Sequence, residues 1–239
     1  MTRGMPAPVD WTQLSDDPNN AAAKRAVREY LLAIRQVHTE INLLEFIESL
    51  VKDRSVLDIG VVSHSARYFD QPDWRHGRVA ALARRCVGVD VIEELVAELN
   101  ARGFNVACVD ATSEHDLGER FEMVFIGDVL EHVNDASRLL AFAARHLAPE
   151  GRIYVTTPNP FSRKFYRRFR RDGTAIANLD HVAWITPTQA LELGRRAGIT
   201  LAAYHLVKRY SPLQRALKEL AWKFSPMEWS FPDFVYEFA

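Results

Sequence analysis

The chain predicts an α/β fold, a doubly wound and mostly parallel sheet with helices on its faces. Three observations carry this. Short apolar runs of strand composition recur: SVLDIG at 55–60, CVGVD at 86–90, NVACVD at 105–110, MVFIG at 123–127 and RIYVTT at 152–157. Segments of helical spacing alternate with them, as in 91–102, which Gly103 is placed to stop. Four runs close on or beside an acid, Asp58, Asp90, Asp110 and Asp128, and a parallel sheet brings all four to one edge.

Taken in order, residues 1–17 carry Pro6, Pro8, Asp16 and Asp17 with little apolar content and read as a loose, flexible arm. From Asn20, Val27, Tyr30, Leu31 and Ile34, then Val37, Ile41, Leu44, Ile47 and Leu50, recur at helical spacing. They predict one or two amphipathic helices packed on the sheet or over a pocket. The α/β domain is expected to span 18–210. The remainder, 211–239, gathers Trp229, Phe231, Phe234, Tyr236 and Phe238 near Pro226 and Pro232. It is expected to be an aromatic extension packed on the domain, covering an acceptor site, completing a homodimer interface or covering the sheet.

The stretch FEMVFIGDVLEHV at 121–133 organises the rest. Its strand gives way at Gly127 to a helical pattern expected from Asp128 to about Leu147. On such a helix Asp128, Glu131 and His132 stand at i, i+3 and i+4 and share one face. That face lies at the carboxyl edge of the sheet, where open α/β folds bind ligands. Two readings stand at this point: a helix N-cap with its reciprocal acid, or donors for a hard cation.

Composition bounds the alternatives. A chain of 239 residues with 48% apolar content is long enough for a sizeable core. A net charge of −1 excludes a surface that is one anion-binding field. Cys86 and Cys108 offer neither a disulfide framework nor metal-ligand spacing, which suits a reducing compartment. The opening MTRGMPAPVD lacks an apolar core of signal-peptide type, and no run approaches membrane-spanning length. The expectation is a cytoplasmic protein, and no segment stands out as an amphipathic membrane anchor.

An acid at a strand tip accepts both hydroxyls of a ribose, and a glycine at a strand-to-helix turn lets backbone approach a ligand. Gly60 lacks the partners of the G-x-G-x-x-G fingerprint that brings a pyrophosphate to a helix N-terminus. A nucleoside without phosphates fits better than a dinucleotide.

VLDIG at 56–60, GVD at 88–90, VDAT at 109–112, the 121–133 stretch and LAPEGRIYVTTPNP at 147–160 together resemble the class I S-adenosylmethionine-dependent methyltransferases. The resemblance covers roughly 44–207. It implies a Rossmann-like methyltransferase fold with a seven-stranded sheet, N-terminal helices and a C-terminal cap. By position, it puts Asp58 and Gly60 near the methionine part of the cofactor, Asp90 at the ribose, and Asp110 with Ala111 beside the adenine, with Ser63 polar enough to line the cofactor site. Asp128 ends the fourth strand in the same cleft. One departure is the first loop, GVVSHS, with Val62 and His64 where the family carries glycines.

D-x-x-E-H at 128–132, followed by His181 in NLDHVAWITPTQ, resembles the E-x-x-E-H … H divalent-metal site of small-RNA 2′-O-methyltransferases. Its first part also resembles the site of ubiquinone-pathway O-methyltransferases. The resemblance implies Asp128, Glu131, His132 and His181 as ligands of Mg²⁺ or Mn²⁺, with Asp128 shorter than the usual glutamate. Glu131, His132 and His181 would then be the catalytic set, because a bound cation lowers the pKa of an alcohol and an imidazole can take its proton. His38 and His64 are looser candidates for a base.

The basic and aromatic run 159–173, NPFSRKFYRRFRRDG, is either an amphipathic helix with a solvated basic face or a platform beside the pocket. The leading expectation is a Mg²⁺-dependent O-methyltransferase acting on a sugar, oligosaccharide or other polyhydroxylated small molecule. The alternatives are a terminal ribose of RNA and a quinone or phenol. The net charge and the lack of an RNA-binding module weigh against nucleic acid. A further alternative is a non-catalytic protein whose altered GVVSHS loop has lost the cofactor.

Overall fold

The computed structural model describes residues 6–63 and 65–239. The chain runs α1 (Ala21–Ile34), β1 (Arg35–His38), α2 (Leu43–Val51), β2 (Ser55–Ile59), α3 (Arg75–Leu82), β3 (Arg85–Asp90), α4 (Glu93–Ala101) and β4 (Val106–Cys108). It continues through β5 (Phe121–Gly127), α5 (Ala136–Arg145), β6 (Leu147–Pro158), α6 (Arg163–Asp172), α7 (Pro187–Ala197), β7 (Leu201–Val207), α8 (Pro212–Ala221) and β8 (Asp233–Phe238). Every strand expected from the sequence forms. Helix ends follow their cap chemistry: the Asn20 carboxamide accepts from the amides of Ala22 and Ala23, and Thr186 closes a capping box with Gln189 ahead of Pro187.

The strands make one eight-stranded sheet in the order β1-β7-β8-β6-β5-β2-β3-β4, parallel except for β8. Two expectations about the sheet are corrected. The helical periodicity through Val37 is interrupted, because Arg35–His38 pairs in parallel with Tyr204–Val207 and adds an eighth strand at the edge. Tertiary pairing there outweighs a local pattern of four residues. The aromatic residues at the chain end do not cap the domain from outside. As β8 they enter the sheet between β6 and β7, with Phe234, Tyr236 and Phe238 fully buried and the Tyr236 hydroxyl donating to Ile185 O at 2.7 Å.

The described part of the arm expected to be loose is docked. Trp11 donates its indole N–H to Glu192 at 3.0 Å, and Val9 packs against the main core.

β5 lies mid-sheet, with Phe121 and Met123–Ile126 wholly inaccessible. Burial on both faces explains an apolar run without alternation. The chain winds outward from β2 through β3 and β4, then returns to place β5 on the other side of β2. The carboxyl ends of β2 and β5 therefore flank the point where the winding reverses, which is where such sheets open a ligand crevice.

Candidate active site

A cavity of about 930 Å³ opens at that crevice, lined by Gly60, Ser63, Asp90, Asp110, Ala111, Asp128, Glu131, His132 and His181 among others. Gly60 adopts φ +84°, and a Cβ there would lie 2.2 Å from Val129 Cγ2, so the turn admits only glycine. Asp90 is fixed by backbone donors, accepting from the Val91 amide at 2.8 Å and the Val62 amide at 3.1 Å. Asp110 accepts from the amide and hydroxyl of Thr112, both at 2.7 Å, which holds its carboxyl below the usual range.

The GVVSHS loop is shaped by side chains where glycines were expected. Val61 and Val62 sink into an apolar cluster with Phe69, Trp74 and Leu99, and the Trp74 indole donates to Val61 O at 3.2 Å. Ser63 turns into the cleft at φ +49°. His64 lies outside the described residues.

Asp58 is a correction. It does not line the cleft; it is buried, with its carboxylate 2.8 Å from Nδ1 of His76, itself buried on α3. Standing two residues before Gly60, its side chain passes under the turn toward the helix. His38 is another: it lies away from the cleft, in contact with His205 Nδ1 at 3.1 Å and the Phe46 ring.

No helix starts at Asp128. The segment after β5 is a loop, Asp128 stands at φ +52°, and α5 begins at Ala136 with Asp135 as its side-chain cap. This removes both the helix face and the capping reading of Asp128 with Glu131. The Asp128 amide instead donates to the carbonyl and hydroxyl of Thr156, both at 3.1 Å. Its carboxylate accepts from Arg75 at 2.7 Å, while the same guanidinium donates to Gly127 O at 2.6 Å. Asp128 is thus engaged by Arg75 and is not among the three close donors next described, although its charge reaches them.

Glu131, His132 and His181 each offer one ligand atom, and the three lie within 4.8 Å of one another. Backbone bonds make the meeting possible: the amides of Val182 and Ala183 both donate to Glu131 O, at 2.9 and 3.3 Å. The two imidazoles stand edge to face with centroids 4.5 Å apart. His132 Nδ1 faces the Asp180 carboxylate at 3.2 Å, and His181 Nε2 contacts the Asn178 carboxamide at 3.2 Å.

Among the described residues no hydrogen bond reaches either carboxylate oxygen of Glu131, which is 1% exposed, or Nδ1 of His181. Burial, and then the charge of Asp128, push the Glu131 carboxyl up to about 7, against the weaker pull of its own amide, the Thr157 hydroxyl and Arg75. Desolvation and the neighbouring His132 hold His181 below the usual imidazole value. A buried acid without a donor is costly unless protonated or facing a cation. Ligands of one divalent ion at about 2.1 Å lie no more than about 4.2 Å apart, so a small rotation of a ring closes the set. The donor set of two nitrogens and one oxygen fits such an ion.

Several cleft residues had no signal in the sequence. Arg75 lies outside every motif and Asp233 reaches the wall from the first position of β8, while Asp180 and Asn178, in the stretch that carries His181, orient the histidines from a loop. Burial, then Asp128, raise the Asp233 carboxyl to about 6.

The methyltransferase-domain family matches residues 35–204. Ubiquinone biosynthesis O-methyltransferase of Coxiella burnetii is 25% identical over 191 residues, spanning 72% of this chain and 77% of the relative. A SAM-dependent methyltransferase from Archaeoglobus fulgidus shares the fold at TM-score 0.56 and 18% identity, over 82% of this chain and 93% of that one. The CcbJ methyltransferase of Streptomyces caelestis does so at TM-score 0.56 and 14% identity, over 82% and 86%. With the cleft at the sheet's switch point and the family match together, the chain belongs to the methyltransferase-domain family and is a class I S-adenosylmethionine-dependent methyltransferase.

Proposed function

We propose that this enzyme methylates an oxygen, and that Glu131, His132 and His181 hold a divalent cation, Mg²⁺ or Mn²⁺, against the acceptor. The observation that carries the reading is the buried Glu131 carboxylate beside two imidazole nitrogens, with no hydrogen bond of full geometry. The Thr157 hydroxyl and Glu131's own amide favour the carboxylate but do not offset its burial. When bound, the cation supplies a Lewis acid that lowers the pKa of the acceptor hydroxyl, and S-adenosylmethionine supplies an electrophilic methyl group.

The chain's own residues do the positioning. Asp90, held by the amides of Val62, Val91 and Ile92, is directed at the ribose hydroxyls, and Asp110 with Ala111 borders the adenine end. Asp180 and Asn178 set ring orientation beside the cation, with Nδ1 of His181 facing it. The acceptor oxygen forms the new C–O bond as the C–S bond breaks, so alignment is the main demand. Asp233, on the wall of the same cavity, offers a carboxylate at neutral pH for the proton released.

For the acceptor, the name of the Coxiella relatives favours a phenol or quinol over the saccharide first expected. The polar wall of Gln71, Asp73, Asn178 and Asp180 keeps a saccharide as the second reading. A methyl-transfer assay with catechols, sugars and RNA ends, in EDTA and in Mg²⁺, tests both parts. Turnover of a catechol only with the ion is expected. Full turnover in chelator would remove the cation from the mechanism, and transfer to sugars alone would reverse the order of acceptors.

A further inference from the structure

Neither α6 nor α8 buries a single residue. On α8 and just beyond it, Leu213, Leu217, Leu220 and Phe224 are 72, 61, 56 and 85% exposed. The 4-3 spacing of the three leucines at about 100° per residue keeps them on one narrow stripe, and Phe224 follows in the turn after the helix. On another side of α8, Lys218 joins the wall of a groove of about 780 Å³ shared with α6. Arg163, Lys164, Arg167, Arg168 and Lys208 line that groove too, and no acid does. Burial and the charges of Arg163, Lys208 and Arg167 hold the Lys218 ammonium below its usual range, so these cations crowd together.

We infer that the α6–α8 face docks the enzyme on a membrane leaflet rich in anionic phospholipid. Two simpler occupants each leave half the face unexplained. A small free anion would satisfy the groove but not four exposed apolar side chains in a row. A second copy of this chain would cover the stripe but leave the cation-lined groove, on another side of the helix, without a partner. An anionic leaflet meets both, apolar stripe to acyl boundary and groove to headgroups. Among the described residues no helix is long and apolar enough to cross a membrane, so the contact would be superficial. The groove adjoins the catalytic cleft: Pro232 lines one and Asp233 the other, and Lys164 and Lys208 both act on the Asp233 carboxyl. Docking would therefore hold the cleft close to the lipid.

The test is co-sedimentation of the full chain with vesicles of phosphatidylcholine alone or mixed equally with phosphatidylglycerol. Two double variants accompany it, Leu217→Glu with Leu220→Glu, and Arg167→Glu with Arg168→Glu. All four positions are exposed, and an unchanged melting temperature verifies folding. Binding to the anionic vesicles is expected, weakened at least about 10-fold in either variant and absent on phosphatidylcholine. Failure to pellet with anionic vesicles overturns the inference. So does binding indifferent to the leucine variant and displaced by inorganic phosphate, which marks a small-anion groove. A dimer by light scattering that the leucine variant splits, without vesicle binding, assigns the stripe to a second copy and overturns it equally. None of these readouts depends on catalysis or the acceptor.

Discussion

The imidazole of His181 meets that of His132 edge to face, ring centroids 4.5 Å apart, although α5, β6 and α6 separate them in the chain. The loop carrying His181 is stitched to the loop after β5 by the Val182 and Ala183 amides on Glu131 O. One backbone carbonyl thus fixes the distance between the two halves of the proposed cation site. Glu131→Gln and His181→Asn are expected to lower turnover by about 100-fold or more and to abolish its response to Mg²⁺. Affinity for S-adenosylhomocysteine should stay within about threefold. Steady-state assays with calorimetry separate the effects; near-normal turnover in both variants would return the cluster to a packing role.

Asp58 and Asp90 end neighbouring strands, yet the structure gives them different work. Asp90→Ala is expected to weaken S-adenosylhomocysteine binding by about 30- to 100-fold, the loss of two charge-assisted hydrogen bonds to a ribose, with little change in melting temperature. Asp58→Ala strands the buried His76 and should cost about 2–4 kcal/mol of stability. Its remaining folded fraction should bind the cofactor product normally. Titration and thermal melts on the same two samples decide it, and the reverse pattern would refute the assignment.

Gly60→Ala meets a positive φ and the Val129 side chain together. A loss of about 2 kcal/mol or more and a weakened cofactor site are expected, since the turn must shift. Arg75→Met leaves Asp128 without its guanidinium and removes a donor from Gly127 O, so catalysis and stability should fall together. Denaturant unfolding beside kinetics tests both. A neutral Gly60→Ala would contradict the turn geometry.

Asp233 gives stability a pH dependence whose sign is fixed. Its carboxyl rises from 3.8 to about 6 in the folded state, so the native protein holds that proton more tightly than the unfolded chain. The contribution is full below 3.8 and is lost as pH rises through about 6. Its size is on the order of 2 kcal/mol, allowing for partial exposure. Asp233→Asn should flatten this window in denaturant melts. An unchanged slope would place the dependence elsewhere.

The strands were legible because both faces of the sheet are covered, which leaves unbroken apolar runs such as Met123–Ile126 in the sequence. β1 was not: four residues of edge strand carry no period that distinguishes them from the helix before. The acids at strand ends were legible as a group, but Asp58 and Asp90 differ only in where the next turn falls. The i, i+3, i+4 spacing grouped Glu131 and His132 on a helix face that does not form; a left-handed Asp128 and a loop bring them side by side in the cleft instead. Arg75 and Asp233 had no local pattern to announce them; only folding places them beside Asp128. Helical spacing also cannot say whether a stripe such as Leu213–Leu217–Leu220 faces the core or solvent.

The central claim is that Glu131, His132 and His181 bind a divalent cation, and titrating Mn²⁺ into the enzyme saturated with S-adenosylhomocysteine tests it most directly. One ion per chain is expected, bound more tightly as pH rises through about 7, where the Glu131 proton ceases to compete, and not bound by Glu131→Gln. Absence of Mn²⁺ binding, or binding of equal strength in Glu131→Gln, would contradict the account.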